Sequence, residues 1–223
     1  MENPLRYENK FVCSDLYESD IMSWISLSTF CFRKQYSVRL INNIYYDTFE
    51  YAAYSDNLDG ISKRSKLRYR WYGDSLYPLK GSIELKNRIN SYGFKNSSKI
   101  NLTGNILSHK DLRSNFKRVV NAEWDIIIQY YCLPIILNRY VRSYYISKCG
   151  GIRLTLDQSH EVYDQTLSDK INIHYRAATP EYSVIELKYD PSNYEVVASS
   201  IGDIPLRYSK NSKYVNSVKS IMH

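Results

Sequence analysis

Five segments of this 223-residue chain alternate charged and apolar residues with a period of two. The clearest is Lys66-Leu67-Arg68-Tyr69-Arg70-Trp71-Tyr72. The others are Arg6-Tyr7-Glu8-Asn9-Lys10-Phe11, Ile83-Glu84-Leu85-Lys86, Ile152-Arg153-Leu154-Thr155-Leu156-Asp157 and Ile185-Glu186-Leu187-Lys188-Tyr189-Asp190. A period of two marks a strand whose two faces meet different surroundings. Half-buried strands usually fill the wet face with Thr, Ser and Gln; here that face is mostly ionised. Side by side, such strands make a surface that a multiply charged partner complements.

The five charged faces and the residues flanking them hold nine cations, Arg6, Lys10, Lys66, Arg68, Arg70, Lys86, Arg88, Arg153 and Lys188, and five acids, Glu8, Glu84, Asp157, Glu186 and Asp190. Alternate strand residues stand roughly 6.8 Å apart. Two like charges at that distance repel by about 0.6 kcal/mol in water and about 2.4 kcal/mol at an effective dielectric near 20. The Lys66, Arg68, Arg70 column is therefore harmless when solvated and unfavourable when enclosed, unless anions or carboxylates neutralise it. For any one strand the plain reading is a solvated outer face. Five together also fit a cationic interior that grips phosphate oxygens through Lys and forked Arg, with carboxylates to hold a divalent metal.

Thirty basic residues against 23 acidic ones give a net charge of +7, which favours an anionic partner without choosing one. Cys13, Cys31, Cys132 and Cys149 lack metal-ligand spacing and read as reduced, mostly buried thiols, pointing to a cytoplasmic protein. The N-terminus shows no apolar leader core. The most apolar stretch, Asp125 to Asn138, is interrupted by Gln129 and Pro134 and is too short to span a bilayer. His109, His160, His174 and His223 show no ligand spacing, and no nucleophile elbow, Walker loop or Rossmann glycine pattern is present.

Along the chain, the spacing predicts a helix opened by Ser14 as N-cap and striped by Leu16, Ile21, Trp24, Ile25 and Leu27. A strand from Tyr36 to Asp47, a helix over Phe49 to Asn57, and strands Lys66–Tyr72 and Ser82–Arg88 follow. Asn90 to Leu107 reads as polar and loop-like with some extended character, and Ser108 to Tyr131 as two helices. Then come a strand from Ile135 to Ile146, a turn at Cys149-Gly150-Gly151 into Ile152–Asp157, strands near Lys170–Tyr175 and Tyr182–Tyr189, and helices over Tyr194–Ser200 and Lys213–Met222. About eight strands with one polar face suit an antiparallel sheet closed on itself, an α+β fold with helices packed outside. Residues 1–223 read as a single domain.

In order, Arg6-x-Glu8-x-Lys10, Tyr45-Tyr46-Asp47-Thr48, Lys66-x-Arg68-x-Arg70-x-Tyr72, Glu84-x-Lys86, Tyr140-x-Arg142, Ile152-Arg153-x-Thr155-Leu156-Asp157, Glu186-Leu187-Lys188 and Ser209-Lys210-x-Ser212-Lys213-Tyr214 make the chain resemble the polyphosphate polymerase (VTC) domain of the vacuolar transporter chaperone complex. That family belongs to the triphosphate tunnel metalloenzymes, with the CYTH phosphatases. The resemblance implies a closed antiparallel barrel of about eight strands enclosing a phosphate tunnel. It implies that Lys10, Arg68, Arg70, Lys86, Arg142, Arg153, Lys210, Ser212 and Lys213 bind triphosphate or polyphosphate, with Lys66 in the same cationic column. Glu186, with Glu8, would hold Mn²⁺ or Mg²⁺, and Lys188 would support the phosphate site. Arg139 stands at the opposite strand parity to Arg142 and replaces it if the register slips.

The activity so implied is an ATP-dependent polyphosphate polymerase. The alternatives are a metal-dependent triphosphatase and a non-catalytic polyphosphate-binding module. ATP or another triphosphate and polyphosphate are the expected partners; nucleic acid is not, because Tyr69 and Trp71 alternate onto the apolar face. Two departures stand out. Arg6 replaces the first Glu of the commoner Glu-x-Glu-x-Lys signature, as in polymerase-type members. The chain also carries neither the regulatory SPX domain nor the membrane helices of the eukaryotic complex, which leaves room for a separate membrane partner.

Overall fold

The computed structural model describes residues 7–14, 18–90, 92–201, 204, 206, 208, 209 and 211–222. Its strands are β1 (Tyr7–Ser14), β2 (Arg33–Asp47), β3 (Lys63–Tyr72), β4 (Gly81–Ile89), β5 (Tyr92–Ile100), β6 (Leu133–Ile146), β7 (Ile152–Asp164) and β8 (Tyr182–Tyr189). Its helices are α1 (Glu18–Leu27), α2 (Ala52–Leu58), α3 (His109–Val119), α4 (Ala122–Tyr130), α5 (Tyr194–Ser200) and α6 (Lys213–Ile221). The strands form one sheet in the order β1-β8-β7-β6-β2-β3-β4-β5, and the β1–β8, β8–β7, β2–β3, β3–β4 and β4–β5 ladders are antiparallel.

The α+β sheet is as expected; the closed barrel is corrected. The hydrogen-bonded order ends at β1 and β5, and no ladder joins these two edges among the described residues. Alternation identifies the wet face of each strand, but closure depends on strand tilt and stagger, which a period of two does not encode.

The chain divides into two compact units. Unit 1 comprises Met1–Arg39, Tyr140–His160 and Pro180–Asn211; unit 2 comprises Leu40–Arg139, Glu161–Thr179 and Ser212–His223. The core of unit 1 gathers Phe11, Ile21, Ile25, Leu154, Leu156, Ile185, Leu187 and Val197, the inward residues of β1, β7 and β8 together with those of α1 and α5. The main core of unit 2 gathers Leu67, Tyr69, Trp71, Ile83, Leu85, Leu112, Phe116 and Ile128, so α3 and α4 cover the apolar faces of β3 and β4.

Several local expectations are corrected. Ser14 ends β1, in register with Tyr182 of β8, rather than capping α1; Leu16 lies outside the described residues. The polar stretch read as loop contains β5. Lys170–Tyr175 is not a strand: it makes only an isolated bridge at Lys170. Cys31 and Cys149 are exposed, whereas Cys13 is buried and Cys132 half-buried. Among the described residues no helix is long and apolar enough to cross a membrane.

Candidate functional site

In unit 2 the face of β3 that carries Lys66, Arg68 and Arg70 is set by burial of its other face. Leu67, Tyr69 and Trp71 are buried, with the Tyr69 ring 5.8 Å from Trp71 and 5.1 Å from Phe116 of α3. Across β3, β4 and β5 the register sets Lys66 opposite Lys86 and Lys86 opposite Lys95. Like charges placed directly across a ladder are unfavourable. Beside this row Arg68 stands opposite Glu84 and donates to it through Nε at 2.8 Å and Nη2 at 2.6 Å, while Lys95 reaches the other carboxylate oxygen at 2.9 Å. Burial alone would raise the Glu84 pKa, but Arg68, Arg70 and Lys95 hold it down at about 2.

The remaining cations of this face are also positioned. Arg68 donates to the Tyr45 hydroxyl at 3.1 Å, and Arg70 Nε donates to Asn43 at 2.7 Å, with Asn43 in turn bonded to Asn138. Lys66 Nζ donates to Ser212 Oγ at 2.8 Å; the same hydroxyl caps α6 by accepting from Val215 N–H. Tyr214, in the first turn of α6, stacks on Tyr45 and donates to buried Asp47, whose carboxylate also accepts from the backbone of Thr48, Ala53 and Tyr54. Asp47 thereby fixes α2 and α6 beneath the cationic strand.

In unit 1 the β1–β8 register sets Lys10 opposite Glu186 and Glu8 opposite Lys188. The four side chains alternate in charge. Lys10 lies 2.9 Å from Glu8 and 4.0 Å from Glu186, and Lys188 lies 2.6 Å from Glu186 and 3.9 Å from Glu8. Lys10 Nζ also meets the Asn211 carbonyl at 3.4 Å. On β6 and β7, Arg142 forks onto fully buried Asp157 at 2.5 and 2.7 Å and lies over the Tyr140 ring at 5.4 Å. Burial opposes its charge, yet Tyr140, Asp157 and Glu186 raise its pKa further, so Arg142 stays ionised. Arg142 gives two of its five N–H groups to Asp157 and keeps three for another acceptor. Arg153 pairs in register with Lys188, and both line a 260 Å³ cavity with Gln35 and Asp190.

Thus Lys66, Arg68, Arg70, Lys86, Ser212 and Lys213 stand in unit 2, and Glu8, Lys10, Arg142, Arg153, Glu186 and Lys188 in unit 1. Arg6 and Lys210 lie outside the described residues. Arg142 rather than Arg139 shares a salt bridge with the β7 acid. Arg88 donates to its own turn at Asn90. Sequence reasoning missed Lys95, which sits on an unrecognised strand, and the positioning roles of Tyr45, Asn43 and Asn138; the tyrosine lay within a quoted motif. Among the described residues no three Asp, Glu, His or Cys side chains group as metal ligands. Glu8 and Glu186 nonetheless approach the same two ammonium groups, and hard carboxylate oxygens suit Mg²⁺ or Mn²⁺ completed by phosphate oxygens.

The sheet thus combines alternating charged strands, paired carboxylates and clustered cations. The sequence matches the VTC domain family over residues 5–222, and the chain belongs to that family. No curated protein matches it. Among solved structures it is similar to a candidate adenylyl cyclase from Hippeastrum with a dominant triphosphatase activity, at 18% identity, TM-score 0.55 and 93% coverage of each chain. It is also similar to a candidate adenylate cyclase from Vibrio parahaemolyticus, at 11% identity, TM-score 0.53 and coverage of 96% and 97%. These two likenesses establish a shared fold.

Proposed function

We propose that this protein is an ATP-dependent polyphosphate polymerase, with residues 1–223 acting as one functional domain. The observation that carries the reading is the row Lys66, Lys86, Lys95 beside Arg68 and Arg70: five cations on adjoining strands of a VTC-family chain, with Glu84 paired to two of them. Such a face suits a polyanion better than a single phosphate.

In this reading Lys66, Arg68, Arg70 and Lys86, with Lys210, Ser212 and Lys213, hold phosphate oxygens. Lys10, Arg142, Arg153 and Lys188 neutralise charge on the transferring group. Glu186 and Glu8 would hold Mn²⁺ or Mg²⁺, which when bound supplies further neutralisation of phosphate oxygens. A terminal oxygen of the growing chain attacks the γ-phosphorus, the bond to the β-bridging oxygen breaks, and ADP leaves. Positioning and electrostatics supply the rate, because phosphoryl transfer asks little covalent chemistry of the protein.

Incubation with ATP, Mn²⁺ and a short polyphosphate primer is expected to give long chains on a polyacrylamide gel. A primed reaction that yields no chain growth rejects the polymerase. The second reading is a triphosphatase, favoured by the fold shared with the Hippeastrum protein. Release of phosphate from tripolyphosphate without chain growth selects it, and tight binding without turnover selects a non-catalytic module.

A further inference from the structure

Within unit 2, α3, the start of β6 and the segment after β7 line an open pocket of about 640 Å³. Among the described residues, none of those assigned to phosphoryl transfer lines it. Lys110, Arg113 and Lys117 recur at three- and four-residue spacing on α3 and so approach it from one helix face. Tyr51, Leu133 and Pro134 supply an apolar wall. Arg113 is held against that wall by donating to the Cys132 carbonyl at 2.8 Å. The one acid, Asp169, already accepts from the Lys110 backbone N–H at 3.0 Å.

His109 points to an occupant. It lines the cavity at 3% exposure, and neither Nδ1 nor Nε2 has a partner of hydrogen-bonding geometry. Neighbouring Gln165 is mostly committed to the chain: its amide nitrogen donates to the Tyr163 and Asn172 carbonyls, and its oxygen accepts from Asn172 N–H, so its one remaining acceptor site can serve at most one of the two ring nitrogens. Burial pushes the imidazole down to about 4, with Asp169 and Gln165 opposing only in part. The ring is therefore neutral at physiological pH and offers one donor and one acceptor. Buried polar atoms left without partners are rare in folded proteins, and here they adjoin a cavity of ligand size.

We propose that this cavity binds a small organic anion. Its apolar or aromatic body lies on Tyr51, Leu133 and Pro134, its phosphate or carboxylate head meets Lys110, Arg113 and Lys117, and a polar substituent reaches His109. The site is separate from phosphoryl transfer, and three cations against one engaged acid set its preference for a negative head group.

The test is calorimetric titration of the full chain with 1-naphthyl phosphate, 1-naphthoate and neutral 1-naphthol, under saturating tripolyphosphate to fill the phosphate-binding faces. Saturable one-to-one binding of either anion, tighter than the naphthol, is expected, and the preferred head group separates phosphate from carboxylate ligands. The double variant Lys110→Gln/Lys117→Gln should weaken it by about tenfold, as two charge-assisted contacts are lost, with the melting temperature unchanged. In the wild type the His109 ring signals should shift on NMR titration. Equal affinity for naphthol, an unaffected double variant, or no saturable binding in the millimolar range would each overturn the proposal.

Discussion

Glu84 is the residue on which the cationic face of unit 2 balances. Its carboxyl is 4% exposed and bonded to both Arg68 and Lys95. Its folded pKa of about 2 lies below the ordinary value of 4.5, so the pairing stabilises the protein above the ordinary value. That stability is lost as pH falls from about 4.5 toward 2, and amounts to roughly 3 kcal/mol. Acid titration followed by circular dichroism should show a steeper loss in this window for the wild type than for Glu84→Gln. The variant should itself be less stable at neutral pH by about 3 kcal/mol, because it leaves clustered cations without their acid. Arg142→Lys should cost about 2 kcal/mol in urea unfolding, since an ammonium cannot reproduce the fork onto buried Asp157.

At the scale of elements, one glycine and one hydrogen bond from α6 decide how the cationic strand is held. A Cβ at Gly81 would fall 2.1 Å from the Arg70 carbonyl oxygen, a backbone atom that cannot swing aside. Gly81→Ala is therefore expected to cost about 3 kcal/mol or more and to displace Arg70, visible as a lowered thermal midpoint together with weaker triphosphate binding. Tyr214→Phe removes the hydroxyl that α6 sends to Asp47 and should cost about 2 kcal/mol, a bond to a buried charged group. The strands that carry the charged faces were legible because each has a fully buried side: Leu67, Tyr69 and Trp71, or Ile185 and Leu187. β5 was not, because it pairs on one side only and lacks a continuous apolar face, with Phe94 41% exposed. Lys170–Tyr175 misled for the opposite reason. Ile171 and Ile173 do alternate into the core, but the side-chain amides of Gln165 and Asn172 satisfy its backbone where a strand would need a neighbour. Register, which set Lys66 against Lys86 and Lys95, is a long-range property that no local pattern states.

At the scale of the whole molecule, the proposed polymerase carries a prediction for the charged face of each unit by itself. Arg68→Ala in unit 2 and Lys10→Ala in unit 1 should each lower kcat/KM for ATP by about 100-fold, read in a coupled ADP assay. Chelation by EDTA or the change Glu186→Gln should abolish chain growth while leaving polyphosphate retention on a filter, which separates the metal-holding role from polyanion binding. The contact between Glu84 and its two cations carries a last consequence. On the proposed function, Glu84 holds the place that a phosphate takes, and an incoming anion must displace that tenant from Arg68 and Lys95. Orthophosphate is then expected to compete poorly with a tethered carboxylate, whereas a long chain engages many cations at once, so binding that tightens with chain length is the expected outcome.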